Sequence, residues 1–437
     1  MSETGAGRRT HDDKQSWFAS MGRVFRHPAL RRILPGMVVS ALGDGMSMVA
    51  VAWLAVQIAP ADQAGVWTGL AVAAYALPAT VGAALLARLV RRLRGARLVA
   101  VDASLRAVAL GAIALLAVLG LLNPALYVAL LAISSLMHAW GNAGAYTLIA
   151  ESLPHGDRVT GNAMVSTFTQ GAVLVGPALA GALMTVVSPG WVIAFDAASF
   201  AVLAVISWRT PAAANIGGAD TVTEAPAAAG GGWRILLGQP KLLGLLAVTC
   251  VFFFLYGPVE VALPIHVATE QQGSAALLGL YWMVFGVGAT LGGLGAGLLR
   301  HRSPWVVVVA IIVGWGAALL PLGLTDRVTP GLAGMAIGGL IYGPFTAIST
   351  ELFQRTSPPH ALSRVLAARS ALTIPATALG VMLGGPLVTA VGGRETLLIS
   401  AVLTLAFGVA VALVLGLARV LVRPKASPFA APEPSAG

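Results

Sequence analysis

Two carboxylates stand inside apolar runs where a charge is out of place. Asp44 sits in SALGDGMSMVAVAWL (40–54), and Glu260 sits in GPVEVALP (257–264), between Pro258 and Pro264. An ionisable group at lipid depth costs at least about 2.5 kcal/mol, so by default it marks a function. Desolvation favours the protonated form of a carboxyl, so either group can take up and release a proton. The alternative for each is a buried carboxyl satisfied by a hydroxyl or a helix end. Arg369 lies in another apolar run with no ionic partner close in sequence. It can meet a carboxylate from elsewhere in the chain or an anionic group on a ligand. Asp102 and Arg106 are four residues apart, one helical turn, and this spacing predicts a structural intrahelical pair.

Aromatic residues supply the second kind of chemistry. Tyr256, Tyr281, Trp282 and Phe285 crowd two neighbouring segments together with Phe252, Phe253 and Phe254, and Trp140, Phe168 and Phe345 can join them. A cavity lined by these rings suits a bulky, partly apolar small-molecule substrate. Other chemistries find no residues. Cys250 is the single cysteine, and the seven histidines are scattered without HExxH, so neither a disulfide nor a metal centre is expected. There is no Walker A sequence for ATP. No cofactor and no enzymatic activity are expected.

The elements that position these residues follow from composition. The chain of 437 residues is 57% hydrophobic and 10% charged, with a mean hydropathy of +0.84. A soluble domain carries about 25% charged residues, so this chain needs lipid as its solvent. Apolar spans are expected near 33–58, 66–88, 98–121, 125–150, 160–188 and 190–208, then 242–268, 275–299, 304–325, 330–353, 362–391 and 395–421. Each is long enough to cross a bilayer, and helix is the form that satisfies its own backbone there. The fold class is an all-α membrane protein of 12 transmembrane helices in two six-helix pseudo-repeats. Its expected parts are an N-terminal arm (1–32), a six-helix bundle (33–208), a linker (209–240), a second bundle (241–421) and a tail (422–437). Helical spacing of Trp17, Phe18, Met21, Val24 and Phe25 predicts a short helix on the membrane surface.

The repeat is visible in the residues. At an offset of 210, Gly69-Leu70 matches Gly279-Leu280, and Ala79, Thr80 and Gly82 match Ala289, Thr290 and Gly292. At an offset of 204, Gly176 matches Gly380, and Gly181, Leu183 and Thr185 match Gly385, Leu387 and Thr389. Gly171, Gly176 and Gly181 on one side, and Gly380, Gly384 and Gly385 on the other, offer faces for close helix packing. Arginines crowd the even-numbered loops, Arg88, Arg91, Arg92, Arg94 and Arg97 above all, while the odd-numbered loops carry Arg327 and Arg394. This places both termini and the linker in the cytoplasm, in a cell membrane. The net charge of +10 is then a signal of topology and not of nucleic-acid binding.

These residues resemble the major facilitator superfamily, and within it the bacterial enterobactin- and macrolide-type exporters. The resemblance rests on SALGDGMSMVAVAWL (40–54), VGPALAGAL (175–183), FDAASF (195–200), GPVEVALP (257–264), LGLYWMVFGVGATLGG (278–293) and LFQRTSPP (352–359). It implies alternating access, with spans 1 and 7 lining a central cavity, and proton-coupled export of bulky amphipathic molecules such as drugs, antibiotics or siderophores by a monomer. The loop after span 2 departs from the family's pattern. It reads AALLARLVRR (83–92), keeping Arg88, Arg91 and Arg92 as gating-loop residues but placing Ala87 where the family has an acid. Span 4 carries Met137 and His138 near the place of the drug antiporters' arginine. The alternatives are an uptake permease or lipid transporter of the same fold, and a transport-inactive sensor or scaffold. A membrane enzyme, the rival from another class, would need catalytic residues clustered at one depth.

Overall fold

The computed structural model describes residues 22–90, 93–210, 237–299, 301–357 and 362–421. Most of the predicted arm and surface helix, most of the 209–240 linker, the 422–437 tail, and Arg91 and Arg92 lie outside them. Within the described residues, twelve helices are long and apolar enough to cross a membrane. They are α1 Pro28–Ile58, α2 Ala61–Leu85, α3 Gly95–Val118, α4 Pro124–Ser152, α5 Gly156–Leu183, α6 Pro189–Arg209, α7 Pro240–Glu270, α8 Ala275–Leu299, α9 Pro304–Leu324, α10 Val328–Thr356, α11 Ala368–Val391 and α12 Gly393–Gly416. No strand occurs among the described residues.

Several boundaries differ from expectation for identifiable reasons. Helix α1 starts five residues early, at Pro28, whose missing N–H belongs in a first turn. Helices α4 and α10 are each interrupted midway, between Ser135 and His138 and between Tyr342 and Phe345. The second interruption carries Gly343-Pro344. Pro78, Pro177, Pro258, Pro264, Pro375 and Pro386 sit inside continuous helices, as expected where neighbours surround them. Helix α7 ends in a π-helical turn, His266–Glu270.

The two halves pack by one plan. Helix α1 lies against α5 and α6, and α7 against α11 and α12; α3 packs on α6 and α9 on α12; α2 packs on α4 and α8 on α10. The halves meet mainly through two crossings, α2 on α11 and α5 on α8. At the first, a Cβ on Gly69 would stand 3.1 Å from the Cα of Gly385. At the second, a Cβ on Gly181 would stand 2.8 Å from the Cα of Gly279. The repeat exchanges these pairs, since Gly69 corresponds to Gly279 and Gly181 to Gly385. Gly171 does not share this role, because open space surrounds it.

Candidate functional site

Asp44 is placed by the glycines on either side of it. A Cβ on Gly45 would collide with the Ala172 carbonyl of α5, and one on Gly43 would press on the Asp196 carboxyl of α6. Helix α1 is therefore held tightly between α5 and α6. The Asp44 carboxylate accepts from Tyr75 Oη of α2 and from Arg106 Nη2 of α3. Its side chain keeps 28% exposure, whereas that of Arg106 keeps 2%.

Arg106 is the hub of this cluster. It donates to Tyr75 Oη at 2.9 Å and to His138 Nδ1 of α4, and its guanidinium lies 4.5 Å above the Phe200 ring of α6. A guanidinium can only donate, so His138 accepts at Nδ1 and carries its proton on Nε2, 3.2 Å from the Asn142 amide, which accepts that proton only with its oxygen turned to the ring. The predicted Asp102–Arg106 pair is corrected here. The ionic bond of Arg106 runs to Asp44, and Asp102 Oδ1 is buried without a hydrogen-bond partner. The Asp102 carboxyl lies against Gly141 of α4, where a Cβ would meet it, while the longer arginine reaches across to α1. Asp196 is fully buried and accepts from Ser47 Oγ at 2.6 Å, with its other oxygen unpartnered.

In the second half, Glu260 is partly buried on α7, with no hydrogen bond or ion pair among the described residues. It lies within electrostatic range of Tyr256, one turn before it, and of Tyr342 on α10. Tyr256 stacks on Tyr342 at 6.1 Å between ring centroids, Phe285 lies 5.7 Å from Tyr342 and 5.5 Å from Trp315, and Phe345 stacks on Tyr342 at 6.0 Å. Arg369 on α11 meets neutral partners, donating to Ser349 Oγ and Thr350 Oγ1 at 2.9 Å and covering the Phe353 ring at 4.9 Å.

Of the aromatic residues expected to line one cavity, Tyr256, Phe285 and Phe345 come together, with Trp282 edge-on to Phe285 at 5.9 Å. Three do not join them. Tyr281 is fully buried, and its hydroxyl is engaged with Gln271 and the Val328 carbonyl. Trp140 belongs to a separate small core with Val90, Leu98 and Met137, donating to the Gly82 carbonyl at 3.1 Å. Phe168 packs half-buried on α5. Sequence reasoning missed Tyr75, Tyr342 and Trp315. Tyr342 carried a signal, since it directly precedes the Gly343-Pro344 break. Arg88 is exposed on a one-turn helix, Ala87–Val90.

A further polar group occupies the opposite end of the second half. His266, Glu270 and Asp326 bring possible metal-ligand atoms within 4.8 Å of one another. Their bonds describe a helix anchor instead. Glu270 accepts from the Gly393 and Arg394 backbone N–H groups at the start of α12, at 2.9 and 3.0 Å, and lies 2.5 Å from His266 Nδ1. Arg394 pairs with Asp326 and Glu395.

Comparison with known proteins agrees with this geometry. The sequence profile of the Major Facilitator Superfamily matches residues 33–373. The multidrug efflux pump Tap of Mycolicibacterium fortuitum is 27% identical over 402 residues, covering 89% of this chain and 96% of that protein. Its namesake in Mycobacterium tuberculosis (strain ATCC 25618 / H37Rv) is 28% identical over 390 residues, covering 84% and 88%. The enterobactin exporter EntS of Shigella flexneri is 27% identical over 156 residues, 35% of this chain and 36% of that one. Among solved structures, a bacterial homolog of the human lysosomal transporter Spinster, inward-facing and unoccupied, superposes with a TM-score of 0.65 at 14% identity, covering 92% of this chain and 99% of that one. The nucleoside transporter NupG gives 0.63 at 13% identity, covering 88% and 99%.

Proposed function

The chain belongs to the major facilitator superfamily, and on that premise we propose that it exports bulky amphipathic small molecules across a cell membrane by alternating access, driven by protons. The observation that carries the reading is Asp44, open on one side and bonded on the other to a buried arginine. One guanidinium cannot neutralise Asp44, Asp102 and Asp196 together, so the cluster is built around protonation. A proton arriving at Asp44 weakens its ionic bond to Arg106. Arg106 then keeps Tyr75 and His138 and has the unpaired Asp102 oxygen one turn away. The change of partner moves α1 relative to α3, and α1 is the helix wedged against α5 at Gly45. A local charge event thereby acts on one of the two crossings that join the halves.

Export as the direction is supported by the relatives, which are named as efflux pumps and as an exporter. The arginine-rich even loops face the cytoplasm by the positive-inside rule. The glycine-sealed crossings then lie near the outer face, and the molecule is open inward. The enclosing aromatic group suits a bulky solute, taken up as a monomer's single substrate. Everted vesicles with an imposed pH gradient test the coupling. The parent protein concentrates an amphipathic substrate inside the vesicles, whereas Asp44→Asn exchanges substrate but does not concentrate it. Uphill transport by Asp44→Asn with an unchanged pH profile would sink the reading.

A further inference from the structure

Arg369 is a half-buried cation that meets only neutral groups. Its guanidinium donates to Ser349 Oγ and Thr350 Oγ1 and covers the Phe353 ring. Cys250 of α7 and Tyr342 of α10 lie within electrostatic range. No Asp or Glu occurs in the chain between Glu351 and Glu395, and Glu351 is paired with Arg355 at 2.5 Å. A cation so placed without an anion is costly, so packing alone does not explain it. The repeat makes the same point. At the offset of 204, the first half puts Ala145, Tyr146, Ile149 and Val165 where the second has Ser349, Thr350, Phe353 and Arg369. Ala145, Ile149 and Val165 are buried there, so the bundle plan closes this contact with apolar side chains.

The group has donors to spare. A guanidinium carries five N–H groups in one plane, and a ring against its face leaves the edge donors available. The Ser349 hydroxyl donates to the Thr346 carbonyl at 3.3 Å. The Thr350 hydroxyl accepts from Arg369 and has no acceptor for its own proton among the described residues. Arg369 and Thr350 are both half-buried and so remain reachable. The helix that contains α11 begins at Leu362, so Arg369 stands two turns in from the end that faces the cytoplasm in the orientation proposed above.

We propose that Arg369, with the Thr350 hydroxyl, forms a binding site for a carboxylate or similar oxyanion carried by the solute as it enters from the cytoplasm. This rests on the transporter reading and deepens it by naming a chemical class of cargo, the amphipathic acid. The fork of the guanidinium suits the two oxygens of a carboxylate, and the threonine proton adds a third donor.

Binding of tritiated probes to the purified full-length protein in an uncharged detergent tests this. The acidic probe is 1-pyrenebutyrate, ionised at neutral pH, and the neutral probe is its amide, 1-pyrenebutyramide. Saturable pyrenebutyrate binding is expected in the parent, weaker by about tenfold or more in Arg369→Gln and partly kept in Arg369→Lys. Thr350→Val, which keeps the arginine, should weaken it by about fivefold. The amide should bind all four proteins alike, which also shows that the variants are folded. No saturable pyrenebutyrate binding in the parent, or equal loss of both probes, overturns the proposal. So does unchanged pyrenebutyrate binding in Arg369→Gln or, should that variant not fold, in Thr350→Val. Displacement of pyrenebutyrate from the parent by an equal concentration of phosphatidylglycerol, but not of phosphatidylcholine, gives the site to a lipid headgroup and overturns it too. Failure of the coupling reading is separate: it appears in Asp44→Asn transport and leaves these binding results unchanged.

Discussion

Arg106 faces three carboxyls, Asp44, Asp102 and Asp196, and gives its ionic bond to the one in another helix. The i, i+4 rule that predicted Asp102 as its partner considers one helix in isolation. It does not include an arginine long enough to cross to α1, nor a glycine at 141 that takes up the aspartate. The positions of Asp44 and Glu260 were legible because charge inside an apolar run is visible in a string. Their surroundings were not, because Tyr75, His138 and Tyr342 arrive from helices distant in sequence. The cluster makes two contrasting predictions. Arg106→Met removes the cation that Asp44, Asp102 and Asp196 share and should destabilise the folded protein by about 3–5 kcal/mol, read as a large loss of thermal stability in detergent. Asp102→Asn keeps shape and removes a carboxyl without a strong bond, and should change stability by about 1 kcal/mol or less. A large drop in its melting temperature would mean that Asp102 is ionised and paired. Trp140→Phe loses a single hydrogen bond to Gly82, at a cost of about 1 kcal/mol. Its substrate spectrum should match the parent's, and a shifted spectrum would return Trp140 to the cavity.

At the scale of elements, twelve spans were readable from hydropathy because each must bring its own apolar length to the bilayer. The interruptions of α4 and α10 were not, since a window average passes over a break of two residues. The interruptions place His138 and Tyr342 beside them, one in each site. The small residues were read correctly as packing faces in number but not one by one. Gly45 meets the Ala172 carbonyl and lies against Gly176 of the predicted face, whereas Gly171, counted in that face, has open space around it. The two give a paired test. Gly45→Val should force α1 from α5 and cost about 1–3 kcal/mol, with loss of transport out of proportion to loss of expression. Gly171→Ala should be silent in both thermal stability and transport. Equal effects would mean that glycine content, and not contact, governs this face.

At the scale of the molecule, the two halves touch through glycine near one end and expose leucine near the other. Leu294 on α8 is 79% exposed, and Ser166 on α5 is also exposed. Continuing the antiparallel register from Gly181–Gly279 brings these two positions opposite each other if the open end closes. In a Cys250→Ser background, Ser166→Cys with Leu294→Cys should cross-link little at rest and more under a proton gradient with substrate present. Efficient cross-linking at rest would contradict an inward-open ground state. The bundle plan was legible from the offsets of 210 and 204, but which helices join the halves was not, because a repeat fixes equivalence and leaves contact open. The contacts themselves have a wider meaning. Gly69 against Gly385 and Gly279 against Gly181 are one contact made twice with the partners exchanged, the signature of an isologous two-fold interface. The chain has the geometry of a homodimer carried on one polypeptide, with the acid cluster in one half and the aromatic box in the other. Two separately encoded pieces, 1–215 and 216–437, therefore hold between them every contact that pairs the bundles, and should find each other in the membrane as subunits do.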